Sequence, residues 1–287
     1  MGRRPATVHG MLLIDKPAGM TSHDVVAGLR KRFGERRIGH AGTLDPDATG
    51  VLVVGVGRAT RLLRFASASF KTYEVEIVLG TETDTLDASG QIVARHQMSV
   101  ERVDVLAAAK GLTGEIQQIP PMVSARRVGG RRLHDLARQG LEVEREARLV
   151  TISRFEIEAT ADSLVWSAVI DCSAGTYIRT LGADLGTALG GGAHIRCLRR
   201  VASGIYKLDE SGTIEEAPLL PVIELVRGID RIVLSEEEES FVRNGGRLNS
   251  NRTQGDGPWA LVDASEELIA VHEHVEGRVV VGVVLAQ

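Results

Sequence analysis

The stretch "GHAGTLDPDATGVLVVGVGRATR", residues 39–61, joins a polar turn to an apolar run. The turn carries two carboxylates, Asp45 and Asp47, and the apolar run 51–56 follows directly. An Asp followed by a Pro is typical of an Asx-type turn that leads into a strand. A carboxylate at the start of a buried strand is equally suited to chemistry. One Asp in a turn does not decide between these interpretations, so the rest of the chain has to.

The composition is that of a folded protein without a membrane segment. The chain has 287 residues, of which 43% are hydrophobic and 25% charged, enough for one large core and a second, smaller one. The apolar run 11–14 is too short for a signal peptide, and no run approaches the roughly 20 residues of a membrane helix. Two cysteines, Cys172 and Cys197, indicate neither a disulfide framework nor a zinc site. We therefore expect a cytoplasmic protein.

The charge is distributed unevenly along the chain. The formal net charge is -4, but residues 1–207 hold 28 Lys and Arg against 22 Asp and Glu, whereas residues 208–287 hold 6 against 16. This asymmetry predicts two domains, 1–207 and a small acidic domain 208–287. Within the first, the stretch "SARRVGGRRLHDLARQG" surrounds a Gly-Gly pair with arginines. It is either a solvated helix face or an arm whose arginines meet phosphates.

Local patterns predict an α/β chain of the α+β kind. A short strand near 10–16 precedes a helix capped by Thr21 or Ser22 that ends near Gly34. The stretch "FKTYEVEIVLG" alternates apolar and polar residues, as a half-buried antiparallel strand does. After residue 208, the segments "WALVD", "LIAVHEH" and "RVVVGVVLA" predict a small β domain. We expect His272 and His274, which lie on one strand face, at the surface.

Several chemistries lack their residues in this sequence. The segment "GVGRAT" has Thr60 where a dinucleotide loop needs its third glycine, and no GK[ST] is present. The sequence has no HExxH and no GxSxG, so no metal site and no acyl-transfer nucleophile are predicted. The chemistry that remains is a reaction carried out by an aspartate carboxylate.

Six motifs, in order, resemble those of the TruB family of pseudouridine synthases, which modify the T arm of tRNA. They are "LLIDKPAGMTSHDVV", the opening stretch 39–61, "KTYEVEIVLGTETDTLD", "IPPMVSARRVGGRRLHDLARQG", "DCSAGTYIRTLGADLG" and "GGGAHIRCLRR". The resemblance covers residues 9 to about 207. It implies a mixed, largely antiparallel sheet flanked by helices, with a thumb-like arm at 122–148. The C-terminal stretch resembles a β-barrel-like, PUA-like RNA-binding domain only loosely. Its net charge of -10 is unusual for a phosphate-binding surface, so support of the catalytic domain is the alternative to RNA binding.

The resemblance implies an isomerase that converts uridine 55 in the T loop of tRNA to pseudouridine. The bond from ribose C1′ to N1 breaks and C5 joins the same C1′, so no cofactor and no metal are required. Asp45 matches the family's nucleophile, and Arg179 in "GTYIRT" matches the arginine that pairs with it and should hold it ionised. Tyr73 matches the tyrosine that stacks on the target base and is suited to proton transfer. Whether Asp45 attacks C1′, attacks C6 or supports an elimination stays open.

Further residues are implied to bind the substrate. The target base must be extruded from a folded loop, at a cost of a few kcal/mol. His40 matches the histidine associated with the flipped-out loop, and Leu198 the apolar residue that packs on the uracil. The remaining matches, whose individual contacts the sequence does not assign, are Asp84, Tyr177 and the arginines Arg126, Arg131 and Arg132 of the arm.

Two rival interpretations stay open at this point. One is an RNA-binding protein or tRNA-folding chaperone, against which Asp45, Tyr73 and Arg179 argue. The other is a guide-RNA-dependent relative, against which the arm segment and the absence of long basic tails argue. The expected partner is therefore tRNA alone, bound by a monomer without guide RNA and without a membrane.

Overall fold

The computed structural model describes residues 6–67, 70–122, 127–128, 131–132, 141, 143–249 and 251–285, with backbone only at 127–128 and 131–132. Its helices are α1 (Ser22–Phe33), α2 (Leu63–Ser67), α3 (Arg102–Gly111), α4 (Ile178–Ala188) and α5 (Glu236–Arg243). Its strands are β1 (Gly10–Lys16), β2 (Ile38–Ala41), β3 (Thr49–Val56), β4 (Lys71–Leu79), β5 (Thr81–Thr83), β6 (Ile92–Arg95), β7 (Gly114–Gln118), β8 (Arg127–Val128), β9 (Arg131–Arg132), β10 (Arg148–Ala159), β11 (Val165–Cys172), β12 (Ala193–Ser203), β13 (Tyr206–Lys207), β14 (Asp230–Val233), β15 (Trp259–Val262), β16 (Leu268–Val275) and β17 (Arg278–Val284).

The first helix forms as its sequence predicts. Thr21 caps α1 through a capping box with Asp24, and Gly34 ends it in the left-handed conformation at φ 61°. Val25, Val26 and Leu29 form its buried face against β1 and β3. The polar start of α1 is therefore held at one end of the sheet and its basic last turn at the other.

The main sheet has nine strands in the described residues and is mixed, as predicted. Seven follow the order β1-β3-β12-β4-β11-β10-β7, while β2 pairs with β3 and β13 with β12. All these pairs are antiparallel except β3 with β12. That parallel pair requires glycine at residue 50, because its φ is 104° and a Cβ there would lie 2.1 Å from the Arg200 carbonyl oxygen. The pair brings the loop before β3 next to the middle of β12.

Strand β4 shows the predicted alternation. Tyr73, Val75, Ile77 and Leu79 are buried, and the residues between them are half-buried or exposed. The apolar face joins the core cluster that also holds α4.

The C-terminal segment forms a four-stranded sheet, β14-β15-β16-β17, with β14 parallel to β15. This confirms the predicted small β unit, whereas barrel closure and the boundary at 207/208 stay predictions. The expectation that His272 lies at the surface is wrong: its side chain is fully buried. Strand β16 packs against two core clusters, so residues 268–272 are all buried and the alternation on which that expectation rested is absent there.

The acidic segment supports the rest of the chain. One core cluster joins Leu13 and Val53 of the main sheet to Leu268 and Val271 of β16. Around this cluster Arg58 pairs with Glu267 at 2.7 Å, and Arg64 pairs with Glu273. Two acidic residues of this segment thus pair with arginines that precede residue 208.

Two substitutions on neighbouring residues of β16 test this shared core. Leu268→Ala opens the cluster shared with the main sheet, whereas Ile269→Ala opens the cluster that β16 forms with β15. Each should lower the free energy of unfolding by about 2 to 5 kcal/mol. Hydrogen exchange should accelerate in β1 and β3 only for Leu268→Ala. Equal exchange of β1 and β3 in both variants would show that the segment is an independent unit.

Candidate active site

The predicted pair, Asp45 and Arg179, is formed. Asp45 lies in the loop between β2 and β3, and Arg179 lies in the first turn of α4. Arg179 donates from Nη2 to Asp45 Oδ1 at 3.0 Å, and its Nε lies 2.9 Å from Oδ2. The guanidinium is 5% exposed and the carboxylate 40% exposed, so the arginine is fixed in the interior and the acid faces a cavity. Such a two-point contact sets the orientation of the carboxylate as well as its charge.

Two further acceptors complete the surroundings of Arg179. Its Nη1 donates to the Thr85 carbonyl at 2.9 Å, and Asp87 Oδ2 lies 3.6 Å from its Nε. Asp87 is itself held by hydroxyl bonds from Thr85 and Ser89 at 2.7 and 2.6 Å. The sequence analysis did not single out Asp87, although it stands in the quoted motif "TETDTLD".

The pKa of Asp45 is raised above its ordinary value, although Arg179 was expected to hold this carboxylate ionised. Burial is the main cause, and the neighbouring Asp87 carboxylate raises the pKa further, while Arg179 lowers it. Both oxygens nonetheless accept hydrogen bonds from an arginine, which favours the ionised form. Arg179 therefore favours the ionised state, which is lost on acidification at a higher pH than for an ordinary Asp.

The loop that carries Asp45 is fastened from beneath by a buried lysine. Lys16 is fully buried, and its Nζ donates to the carbonyls of Pro17, Met20 and Pro46 at 2.8, 2.6 and 2.8 Å. Burial lowers its pKa, and Asp47 and Asp45 oppose that shift. The side chain thus acts as a three-way donor to main-chain oxygens.

A serine and an arginine fix the same loop on its other sides. Ser22 Oγ accepts from the Leu44 amide at 2.9 Å. Arg200, also fully buried, donates to the carbonyls of Val51 and Gly42 at 2.8 and 3.1 Å. The backbone around Asp45 is therefore set by bonds from α1, β1 and β12. None of these three polar side chains was predicted as part of the site.

A cavity of about 290 Å³ opens beside the pair. This lies at the small end of ligand pockets, as suits a single extruded nucleotide. Leu198 enters the wall because β12 shifts register between Arg196 and Arg199, and Cys197 there has a φ of 54°. The lining residues are Asp45, Pro46, Asp47, Ala48, Asp87, Ala88, Ser89, Arg179, Ile195, Arg196, Cys197 and Leu198.

Tyr73 is buried behind the cavity wall, 8% exposed, in the core cluster that contains Leu44 and Ala48. Burial raises the pKa of its hydroxyl, and a hydrogen bond with Arg200 opposes this. Asp45 is near enough to raise that pKa as well. The phenol is consequently protonated at neutral pH, a form that donates a proton or hydrogen bond.

The other predicted residues lie outside the cavity lining. His40 is on β2, where its ring meets His23 edge-on at 5.6 Å between centroids; burial, His23 and Arg200 lower its pKa to about 4. Asp84 is exposed and accepts from the Gln91 amide at 2.8 Å. Tyr177 caps α4, and its backbone pairs with the Gln118 amide. Arg126 and the side chains of Arg131 and Arg132 lie outside the described residues.

Within the described ranges, no cluster of His, Cys, Asp or Glu suits a metal ion, and no helix is long and apolar enough to cross a membrane.

The fold and site define an α/β protein with a cradled carboxylate at a nucleotide-sized cavity. Residues 30–178 match the TruB family pseudouridylate synthase N-terminal domain, and residues 179–223 the tRNA pseudouridylate synthase B C-terminal domain. The "tRNA pseudouridine synthase B" of Mycobacterium bovis BCG is 46% identical, covering 93% of this chain and 92% of that protein. The one of Geobacillus thermodenitrificans is 39% identical, covering 92% and 94%. The chain belongs to the TruB family of pseudouridylate synthases, which are isomerases.

A solved structure supports the fold. The chain matched in the "Crystal Structure of a Cbf5-Nop10-Gar1 Complex" is 24% identical, with a TM-score of 0.72, covering 93% of this chain and 78% of that chain. This match confirms the pseudouridine synthase type of sheet.

The pKa of Asp45 should respond to Asp87. Asp87→Asn removes a like charge but keeps the Oδ1 acceptor, so the pKa of Asp45 should fall toward its ordinary value. Carboxyl ¹³C NMR titration, assigned with Asp45→Asn, measures this without relying on activity. Asp171→Asn, which alters a carboxylate paired with Arg154 instead, is the control. An unchanged Asp45 pKa in Asp87→Asn would contradict the electrostatic account.

Removal of the Tyr73 hydroxyl should slow chemistry without loss of fold. If the phenol transfers a proton, Tyr73→Phe should lower the single-turnover rate by about 10²-fold, within the range for acid–base groups, while RNA affinity is retained. Tyr206→Phe is the matched control, because Tyr206 is also buried but donates to the Glu224 carbonyl, outside the cavity lining. Equal rates for Tyr73→Phe and the unsubstituted protein would exclude proton transfer by Tyr73.

Proposed function

We propose that the chain isomerises the uridine at position 55 in the T loop of tRNA to pseudouridine, with Asp45 as the reacting carboxylate. The observation that carries the proposal is the Asp45–Arg179 pair at the mouth of the nucleotide-sized cavity. The relatives named tRNA pseudouridine synthase B, which match over nearly the whole chain, support tRNA as the substrate.

The reaction needs one base to leave the stack and to be held while it turns. The glycosidic C1′–N1 bond breaks, a C1′–C5 bond forms, C5 loses its proton and N1 gains one, so the product is an isomer. Attack at C1′, attack at C6 and assisted elimination all require an ionised carboxylate with a free lone pair. Each Asp45 oxygen accepts one bond from Arg179 and keeps capacity for another contact. Arg179 thus orients the carboxylate without occupying all of its acceptor positions.

The remaining residues divide between the base and the RNA around it. Leu198 provides an apolar wall for the uracil, and Tyr73 relays the proton that C5 loses, accepting it at the hydroxyl oxygen while giving up its own. His40, neutral at physiological pH, stacks in the loop vacated by the base. Asp84, Tyr177 and the arginines of the 122–148 arm contact the RNA.

The proposed reaction also determines what the enzyme requires besides its substrate. The isomerisation balances without an external oxidant, reductant or group donor, so the chain needs no cofactor. It acts as a cytoplasmic monomer on tRNA directly, without a guide RNA.

Asp45→Asn tests the proposal. The amide keeps the shape but not the charge, so the single-turnover rate should fall by roughly 10⁴-fold or more, as for other lost nucleophiles. The affinity for a T-arm hairpin should stay within about threefold, since the loss lies in the reacting group rather than in phosphate contacts. Pseudouridine formation is measured with the purified chain and the hairpin alone.

The outcomes separate the rival functions. Asp171→Asn, at a carboxylate that pairs with Arg154 outside the cavity lining, is the control and should retain most activity. Turnover by Asp45→Asn without deamidation would exclude Asp45 as the reacting group. Binding without turnover by the unsubstituted chain would favour an RNA chaperone, and turnover only with an added guide would favour the guide-dependent class.

A further inference from the structure

A basic patch lies at the turn between α1 and β2, away from the cavity lining. It comprises the exposed cations Lys31, Arg36 and Arg37, none of which forms an ion pair within the described part of the chain. The two other cations of the turn are engaged with the main chain. Arg30 donates to the Ile38 carbonyl at 3.1 Å, and Arg32 donates to the carbonyls of Ile214 and Ala217, each at 2.9 Å.

The carboxylates near this patch leave its charge largely uncompensated. Glu35 is 8% exposed and accepts from the backbone amides of Thr7 and Arg37 at 3.1 and 2.8 Å. Glu216, on the Arg32 side, accepts from the Thr213 hydroxyl at 3.2 Å. By contrast, Arg58 and Arg64 are paired with Glu267 and Glu273. In a chain of net charge -4, exposed and unpaired cations at one turn mark a binding surface for an anion.

Both elements that meet at the patch lead back to the active site. The exposed face of α1 runs from His23 through Ala27 to Lys31, and Ser22 bonds the Leu44 amide. Strand β2 runs from the residue after Arg37 to the loop that carries Asp45. The ring of His23 meets that of His40, which closes the path at the site end. The patch and the site are thus the two ends of one helix and one strand.

The lengths of these elements set the distance. Eight residues of α1 span about 12 Å at 1.5 Å each, and the four residues of β2 about 13 Å. Both lengths start at the His23–His40 pair, outside the cavity lining, so the patch lies a few nucleotides along an RNA strand from a base held in the cavity. An extruded loop base in the cavity would place the phosphates of the adjoining stem at the patch.

We infer that Lys31, Arg36 and Arg37 bind the stem phosphates of the substrate RNA, a few nucleotides from the target uridine. This inference rests on the proposed function, because it takes the base in the cavity as its origin. The contact is independent of sequence, as phosphate contacts are, and fixes the register of the stem while the cavity selects the base. Flexible, exposed cations suit this task because the stem carries its charge along the whole strand.

The triple variant Lys31→Ala/Arg36→Ala/Arg37→Ala tests the contact. Each lost phosphate contact should lower the slope of log affinity against log salt by roughly 0.7 to 0.9, so the triple variant should lose about 2 or more. Single-turnover rates at saturating enzyme should be unchanged, since none of these residues touches the cavity. Arg37→Ala and Arg278→Ala form a matched pair, because each removes one exposed arginine but only the first is in the patch.

A chemically altered RNA locates the contact. A T-arm hairpin with neutral methylphosphonates in the stem should bind the triple variant and the unsubstituted protein equally, whereas neutral linkages in the loop should leave the difference intact. If the triple variant lost as much affinity for the stem-neutralised hairpin as for the unmodified one, relative to the unsubstituted protein, the stem assignment would be overturned. An unchanged salt slope would overturn the patch as an RNA contact. Failure of the unsubstituted protein to convert the unmodified hairpin would instead overturn the proposed function.

Discussion

The guanidinium of Arg179 is the constraint on which the site depends. A buried cation without partners costs several kcal/mol, so the fold must bring acceptors to it. They come from two separate segments: Asp45 from the loop before β3, and Asp87 with the Thr85 carbonyl from the loop after β5. The first turn of α4 therefore joins both loops, and the position of Asp45 follows from the need to satisfy one arginine.

Two further buried cations near Asp45 also depend on acceptors that the fold brings to them. Lys16 and Arg200 are fully buried, and both are satisfied mainly by main-chain carbonyls of the segments around Asp45. Hydrogen bonds from charged donors are about twice as strong as neutral ones, which makes them suited to hold an irregular loop. The loop is thus rigid without regular secondary structure, and Asp45 keeps its orientation while it remains open to the cavity.

Part of the fold and of the candidate site could be predicted from the sequence, and part could not. The capped helix α1 and the alternating strand β4 were predicted because local patterns encode them, whereas the mixed sheet was implied by the family resemblance. Asp87 and the roles of Lys16 and Arg200 were missed because their partners are backbone atoms or residues distant in sequence. His272 was misplaced because β16 is covered on both faces, so its residues do not alternate between core and solvent. The assigned roles of Tyr73, His40 and Asp84 stay predictions, as do the contacts of the arm.

The central claim is that Arg179 acts through two-point contact with Asp45 rather than through charge alone. The measurement that tests it is the single-turnover rate of Arg179→Lys on a T-arm hairpin at saturating enzyme. Lysine keeps the positive charge but cannot form the paired bonds to both carboxylate oxygens. The account predicts a rate at least about 10²-fold below that of the unsubstituted protein, with a far smaller change in RNA affinity. A rate equal to that of the unsubstituted protein would contradict it.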